Sequence, residues 1–537
     1  MQTVSETWKS VHKQSLLNES FVEVSMEVAD PDALADAASR GACDNGAIYI
    51  SNSFELTDGV DKHPIPYCTL EQNLWILDGN RKAIPESDFG DEGYVGDVLS
   101  DEVCVFSSKM PTLTIKFSEV YTNVIPGITI TWSTTYGEFA DDFVVRAYNG
   151  DMVVAETEVN GNRSVKSTVM VDIVNYDRIE IQVKKWCLPC HRARVEEIFV
   201  GVNKVYSKSD LFDYTHKQSV DPVSTSLPKA EISFSVNNVG GEYNPYNEEG
   251  LSKYLMERQE IKARYGLKLN DDSIEWIKGG TFYLSEWSAK QNGMTADFTA
   301  RDLLEFMFAN YNERHDLSSR SLYDIATAVL TAADLPLNSD GTVKWVIDES
   351  LRTKTTTAPL PNDTLANCLQ IIANAGECVI YQDRTGTLRI EPLKFDDTDY
   401  EINTFNSYSK SEVTLVKPIK QVKVKVYTYT MGDKGIESTT TEEIYPKTGY
   451  INPVGETITI DNPLVTDRDW ANSIGLWLAT HLSHRMTLDS SWRTDVRLDA
   501  LDIVTDKNSY NTNRVRMTEV EFKYNGAFRG TGSGKVI

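Results

Sequence analysis

Apolar and polar residues alternate strictly in segment after segment of this chain. Leu113, Ile115 and Phe117 do so in TLTIKFS, Ile128, Ile130 and Trp132 in ITITWS, and Ile179, Ile181 and Val183 in IEIQVKK. Successive side chains of an extended strand point to opposite faces, so a period of two buries one face and wets the other. The pattern returns at Ile232, Phe234 and Val236, at Val422, Val424 and Val426, and at Val520, Phe522 and Tyr524. Half-buried antiparallel sheets are therefore expected along the whole chain, and the fold class is mainly β, multidomain α+β.

Helical spacing is confined to patches. Leu322, Ile325, Val329 and Leu330 follow a Ser321/Asp324 capping box, and Leu365, Leu369 and Ile372 run up to Gly376, which together make one small helical module. Trp470, Ile474, Trp477, Leu478 and Leu482 share a helix face after a cap candidate at Asp467. No fixed-period repeat or low-complexity tract occurs, which argues against solenoids and propellers.

At about 100–200 residues per domain, the 537 residues predict about three or four domains. Turn-rich joints, including the acidic stretch PESDFGDEGYVGDVLSDE at 85–102, divide the chain into five units. Residues 1–44 and 203–250 form a split β domain, interrupted by a β sandwich at 45–202. A second β domain covers 251–316, the helical α/β module 317–395, and a β-rich domain with one helix 396–537. Gly279 and Gly280 suggest a tight hairpin, Asp383–Gly386 a second one, and Thr299 or Asp302 a cap for a helix carrying Leu303, Phe306 and Met307.

Composition removes several classes of function. A formal net charge of −26 and the lack of a Lys/Arg block disfavour a reader of nucleic-acid backbones, whose affinity comes from neutralising phosphates. No apolar run reaches the length of a membrane span, and the N-terminal residues lack the pattern of a signal peptide, so neither a span nor export by that route is expected. Seven scattered cysteines are too few and odd in number for a disulfide scaffold, which points to folding in a reducing cytoplasm.

Chemical motifs are sparse. Cys187, Cys190 and His191 in WCLPCHR match the attachment sequence of c-type haem and a redox dithiol, but they follow a strand rather than opening a helix, and a turn in a sandwich is the favoured reading. A zinc site there would need Cys43, Cys68 or Cys104 to converge on it. His481 and His484, three apart on the last helix, could share a metal, yet capping histidines at a helix C-terminus, where positive charge is favoured, fit better. The closing GTGSGKVI is no phosphate loop, because Arg529 and Val536 occupy positions that require Gly and Ser/Thr. Carboxylates are too numerous for a glycosidase pair to be singled out, and no G-x-S-x-G elbow occurs. The residues assign no catalytic, cofactor-binding or metal site, and no enzyme.

From about 205 onward the order of segments is informative. YLMERQEIKARYGLKL, EWIKGGTFYLSEWS and DFTARDLLEFM are followed by NDTLANCLQIIANAGECVIYQDRTGTLRIEPL, by ITIDNPLVTD with WRTDVRLDALDIVT, and by VRMTEVEFKYNGAFRGTGSGKV. In that order they resemble the baseplate-hub or tail-tip family of tailed bacteriophages and prophages. The resemblance implies hub-type antiparallel β domains and a homotrimer whose β domains form a pseudo-hexameric ring. It also implies distal tail, tail tube and tape measure proteins as partners, tip, spike or fibre proteins below, and a place in the virion after synthesis in the host cytoplasm. Many relatives continue into a cell-wall hydrolase, and since this sequence stops at the hub-like ending, no lysin activity is expected. The trimer would surround the exit path of tape measure and DNA, and acidic walls would keep the genome from adhering during ejection.

Residues 45–202 resemble galactose-binding-type or jelly-roll modules, which implies either decoration or contact with a host surface glycan. Two rivals to the hub reading follow: a carbohydrate-binding adhesin resting on that sandwich, and a glycan-active enzyme resting only on abundant carboxylates and aromatic residues.

Overall fold

The computed structural model describes residues 1–537 other than 15–17, 45, 53, 60–63, 84–91, 249, 290–292, 313–316, 339–341, 433–434, 446–453 and 494. The acidic joint expected at 85–102 is described only from Glu92 onward, and the joint at 316 lies outside the described residues. The chain is mainly β, with 47% strand and 14% helix, and several antiparallel sheets carry it.

Its centre is a 13-stranded sheet. From one edge the order runs Val202–Tyr206, Ser20–Val28, Glu260–Lys268, Ile274–Ala289, Thr295–Arg301, Lys229–Asn237 and Leu211–Ser219, then Asn513–Tyr524, Phe528–Val536, Met486–Trp492 and Glu412–Leu415. Ile503–Asp506 pairs with Asn513–Tyr524 and carries Asp397–Ile402 in parallel beside it. One core underlies all of it, built from Val24, Phe234, Tyr265, Phe298, Trp492, Phe522 and Phe528 among others. Strands from the units read as 1–44 with 203–250, 251–316 and 396–537 thus share one sheet. Alternation tells each strand which face to bury, but it does not name the partner strand. Tyr524 donates its hydroxyl proton to the Ser20 carbonyl at 3.1 Å, tying the two ends of the chain together inside this core.

Gly279 and Gly280 do not turn the chain. Ile274–Ala289 runs straight through them, and the register against Glu260–Lys268 slips between Ala263 and Arg264, leaving a β-bulge. Gly280 has φ +144°, and a Cβ there would meet the Phe282 ring at 2.5 Å, so the bulge is closed to side chains. The tail GTGSGKV is a strand in which Gly530 faces Trp492. A Cβ on Gly530 would lie 2.6 Å from the Trp492 indole, so the glycine makes room for that buried ring.

The second core belongs to the sandwich. A five-stranded sheet, in the order Ala42–Asp44, Thr112–Tyr121, Tyr176–Trp186, Ala140–Asn149 and Met152–Val159, packs on a three-stranded one of Glu197–Phe199, Ile125–Thr131 and Lys166–Ile173. Trp132 meets Phe143 and Trp186 edge-on at 5.0 and 6.0 Å in its middle. This core includes Ala33, Ala37 and Ala42, so the inserted unit takes in a helix and a strand that precede residue 45.

Among the described residues there are five α-helices: α1 (Glu6–His12), α2 (Pro31–Arg40), α3 (Leu322–Ala332), α4 (Leu365–Ala375) and α5 (Arg468–Ser483). Ser321 caps α3, accepting from the Asp324 amide and donating to its carboxylate at 2.6 Å. Asp467 caps α5. Gly376 ends α4 in a right-handed conformation, and it is Glu377 that takes φ +56°. Asp302, not Thr299, caps the turn Leu303–Phe306, which is a short 3-10 helix. The Asp383–Gly386 turn joins Val379–Gln382 to Leu388–Glu391 as expected. From it Arg384 reaches the Asp499 carboxylate at 2.6 Å and the Leu498 and Lys278 carbonyls at 2.8 and 3.0 Å, anchoring the helical module to the central sheet. No helix among the described residues is long and apolar enough to cross a membrane.

Candidate functional site

The WCLPCHR segment follows the strand Tyr176–Trp186 and turns the chain into Arg192–Val195. Ser100 fixes that turn, its hydroxyl donating to the Leu188 carbonyl at 2.9 Å and accepting from the His191 amide at 3.1 Å. Cys190 takes φ +55°. The Cys187 sulfur accepts from the Phe139 amide at 3.3 Å, and burial pushes its thiol up to about 11. Burial raises the Cys104 thiol as well. Cys187 therefore lacks the thiolate character of an attacking redox cysteine. Cys68 donates to the Ile76 carbonyl at 2.8 Å, and the Cys43 side chain lies outside the described residues. Among the described residues no group of three His, Cys, Asp or Glu is placed to hold a metal ion.

His191 serves another purpose. It is buried, with Nδ1 2.8 Å from the Glu138 carboxylate and Nε2 2.7 Å from the Gln72 carbonyl. Both neighbours accept hydrogen bonds, so the ring must donate from both nitrogens and carry two protons. Burial acts to lower its pKa, but the Glu138 carboxylate outweighs burial and holds it above the ordinary value. Glu138 also accepts from the Trp186 indole at 2.8 Å.

A second buried pair lies beside the first. Glu71 accepts from Arg194 at 2.5 and 2.9 Å and from the Arg192 amide at 2.8 Å. Burial acts to raise the Glu71 carboxyl, yet the Arg194 guanidinium holds it below the usual range. Arg194 is shifted upward in turn, because the Glu71 carboxylate outweighs its burial. Together these residues clamp the segment 67–82: Glu71 by its side chain and Gln72 by its carbonyl.

Above this floor is a cavity of about 370 Å³. Gln72, Asn73, Leu74 and Arg81 of the clamped segment, Leu188 and Pro189 of the turn before His191, and Thr135 and Tyr136 line it together with Glu138 and His191. Tyr136 is held by the Tyr67 amide at 3.1 Å and by its own bond to the Tyr67 carbonyl at 3.3 Å, with the Arg194 guanidinium 4.8 Å from its ring. The cavity draws on residues spread from 72 to 191, and of these only Leu188, Pro189 and His191 fall in the WCLPCHR segment. The remaining signal in the sequence is slight: Arg194 is a charged residue within the short strand Arg192–Val195, where Ala193 and Val195 are fully buried.

His481 and His484 belong to no group of three possible metal ligands among the described residues. His481 lies edge-on to Trp477 at 5.8 Å, and burial, reinforced by Arg516, His484 and Lys535, lowers its pKa to about 4. His484 is the C-cap of α5, and burial with Lys535 and Arg516 lowers it too. At this helix end burial, reinforced by Arg516 and Lys535, works against the positive charge that the helix dipole favours.

No protein-family model matches the chain, and no curated protein does. Solved structures do. It is similar to a tail protein from Neisseria meningitidis MC58 at 10% identity and a TM-score of 0.42, covering 62% of this chain and 93% of that one. It is similar to the 43 kDa tail protein of prophage MuSo2 from Shewanella oneidensis at 12% identity and a TM-score of 0.40, covering 62% and 95%. A third likeness is to prophage tail protein gp18 from Listeria monocytogenes EGD-e, at 12% identity and a TM-score of 0.38, covering 62% and 91%.

Proposed function

We propose that this chain is a non-enzymatic virion protein, the homotrimeric hub of a phage baseplate or tail tip. It would join the tail tube and distal tail protein to the tip, spike or fibre complex and surround the channel for tape measure and DNA. The observation that carries this reading is the fate of the hub-like segments. Dispersed from Tyr254 to Val536, most of them contribute strands to one sheet, while NDTLANCLQIIANAGECVIYQDRTGTLRIEPL builds the helical module and ITIDNPLVTD a strand of a separate three-stranded sheet. That sheet ends on the strand Glu412–Leu415, whose four residues are all exposed, with Leu415 63% accessible. An open edge of this kind is what a neighbouring subunit in a ring pairs with or covers. A formal charge of −26 suits walls that DNA passes without adhering.

Light scattering tests the reading. The purified chain, alone or mixed with a distal tail protein, is expected at three times 60.3 kDa, with three-fold ring particles in negative stain. A chain that stays monomeric in both conditions would overturn it. A second reading, a carbohydrate-binding tip protein that meets a host surface glycan, is favoured by the cavity in the sandwich, and one chain can be both.

A further inference from the structure

We infer that the cavity at the end of the sandwich binds a saccharide bearing an anionic group, with the Arg81 guanidinium pairing with that group. The inference rests on the glycan-contact reading above and adds to it the chemical class of the ligand and the residue that selects it.

The floor is the first argument. Burying an ion pair contributes little to stability, because desolvation offsets most of the attraction, and apolar side chains of the same volume usually do as well. The middle of the sandwich core follows that economy with Trp132, Phe143, Ile181 and Trp186. Only at the cavity does the sandwich, among its described residues, set two such pairs side by side: Glu71 with Arg194 and Glu138 with His191. Their common effect is to fix the segment 67–82 against the sheet, and this is the segment that supplies Gln72, Asn73 and Arg81 to the wall. Rigid support under a polar wall is what a binding site requires, since it removes the cost of ordering the loop when ligand arrives.

The walls are the second argument. The volume of about 370 Å³ falls at the lower end of the range that holds small ligands. Gln72 and Asn73 are exposed and offer amide donors and acceptors suited to hydroxyl groups, while Leu74, Leu188 and Pro189 offer an apolar side for the C–H face of a ring.

Charge is the third. The two floor carboxylates, Glu71 and Glu138, are already met by Arg192, Arg194 and His191, so they leave no negative charge for Arg81. Arg81 makes only a 3.5 Å bond to the Leu74 carbonyl and lies 5.5 Å from the Tyr136 ring centre, with no ion pair among the described residues. Asp78 acts on it from a distance while its carboxylate is occupied by Asn80. An unpaired guanidinium in the wall of a cavity, on a chain of net charge −26, favours a carboxylate or phosphate group on the ligand.

The test is ligand-observed NMR on the full chain with methyl β-glucuronide, methyl β-glucoside, methyl β-glucoside 6-phosphate and inorganic phosphate as probes. We expect the glucuronide or the sugar phosphate to bind about tenfold more tightly than the glucoside, and the preferred probe identifies the group as carboxylate or phosphate. Arg81→Gln is expected to abolish that preference. Because Arg81 is half-exposed, the variant should keep the wild-type melting temperature, and Asn73→Gly provides a second variant that weakens all sugars alike. Equal binding of glucoside and glucuronide would overturn the anionic preference and leave the glycan reading standing. Binding of no saccharide would overturn both. Inorganic phosphate binding as tightly as any saccharide, or glucuronide binding unchanged in Arg81→Gln, would also overturn the inference.

Discussion

Glu138 and His191 lie 2.8 Å apart inside the sandwich, and the Gln72 carbonyl on the far side of the imidazole obliges the ring to stay doubly protonated. The folded state thus holds a proton that the unfolded chain releases near pH 6.5. Stability from this proton is complete below about pH 6.5 and is lost as the pH rises through the higher folded value, at no more than about 1.4 kcal/mol per pH unit. Calorimetry should show the sandwich transition moving down as the pH rises above the ordinary histidine range. His191→Gln should lower that transition at pH 6 and flatten its alkaline slope.

The central sheet should respond in the opposite sense. Buried His216 has Nδ1 2.9 Å from the Tyr265 hydroxyl, and burial, aided by Arg384, pushes its pKa down to about 3. The unfolded chain takes up a proton near 6.5 while the folded one refuses it until about 3, so stability falls as the pH drops across that window. Acid titration followed by calorimetry should lower the transition of this sheet by about 1.4 kcal/mol per unit in that window, and His216→Phe should remove this slope. The phenyl group would sit near Phe282 and Phe522, which already flank the imidazole at 5.4 and 6.1 Å.

Arg194→Met leaves the Glu71 carboxylate buried without its cation. A broken buried pair costs about 3–5 kcal/mol, so the sandwich transition should drop by that order in denaturant melts. Replacing both members, as Glu71→Leu with Arg194→Met, should recover most of the loss. A double variant as unstable as the single one would show that the pair does more than neutralise charge.

Gly530→Val places two methyl groups where the Trp492 indole lies. A Cβ alone would be 2.6 Å from the ring, so the tryptophan must move, and overpacking of this kind costs about 1–3 kcal/mol. The variant should lower the stability of the central sheet while leaving the sandwich transition in place, which equilibrium unfolding followed at both transitions would show.

Local features were legible in the sequence because they depend on neighbours. Strand faces at Leu113, Ile115 and Phe117, the Ser321 and Asp467 caps and the Asp383–Gly386 hairpin all follow from spacings of two to four residues. Gly279 and Gly280 show where such reasoning stops. A glycine pair suits a hairpin and a bulge equally well, and the choice was made by a distant partner, Glu260–Lys268, along which the strand could continue. The cavity was hidden for the same reason: Glu71, Glu138 and His191 become neighbours only through the fold. His191 was visible in a motif, but the motif pointed toward haem or redox chemistry, whereas its contacts are those of a structural imidazolium.

The sheet that binds Ser20 to Tyr524 also sets an order in time. The sandwich core closes on residues 33–200 and can be finished while the ribosome is still working, but Leu211–Ser219 must wait for Asn513–Tyr524 to cover its second edge, and the Ser20 carbonyl for the Tyr524 hydroxyl. For much of synthesis the nascent chain therefore carries one completed domain beside half-built strands with open edges, so it is at this stage, more than in the finished particle, that chaperones would be needed and misassembly would begin.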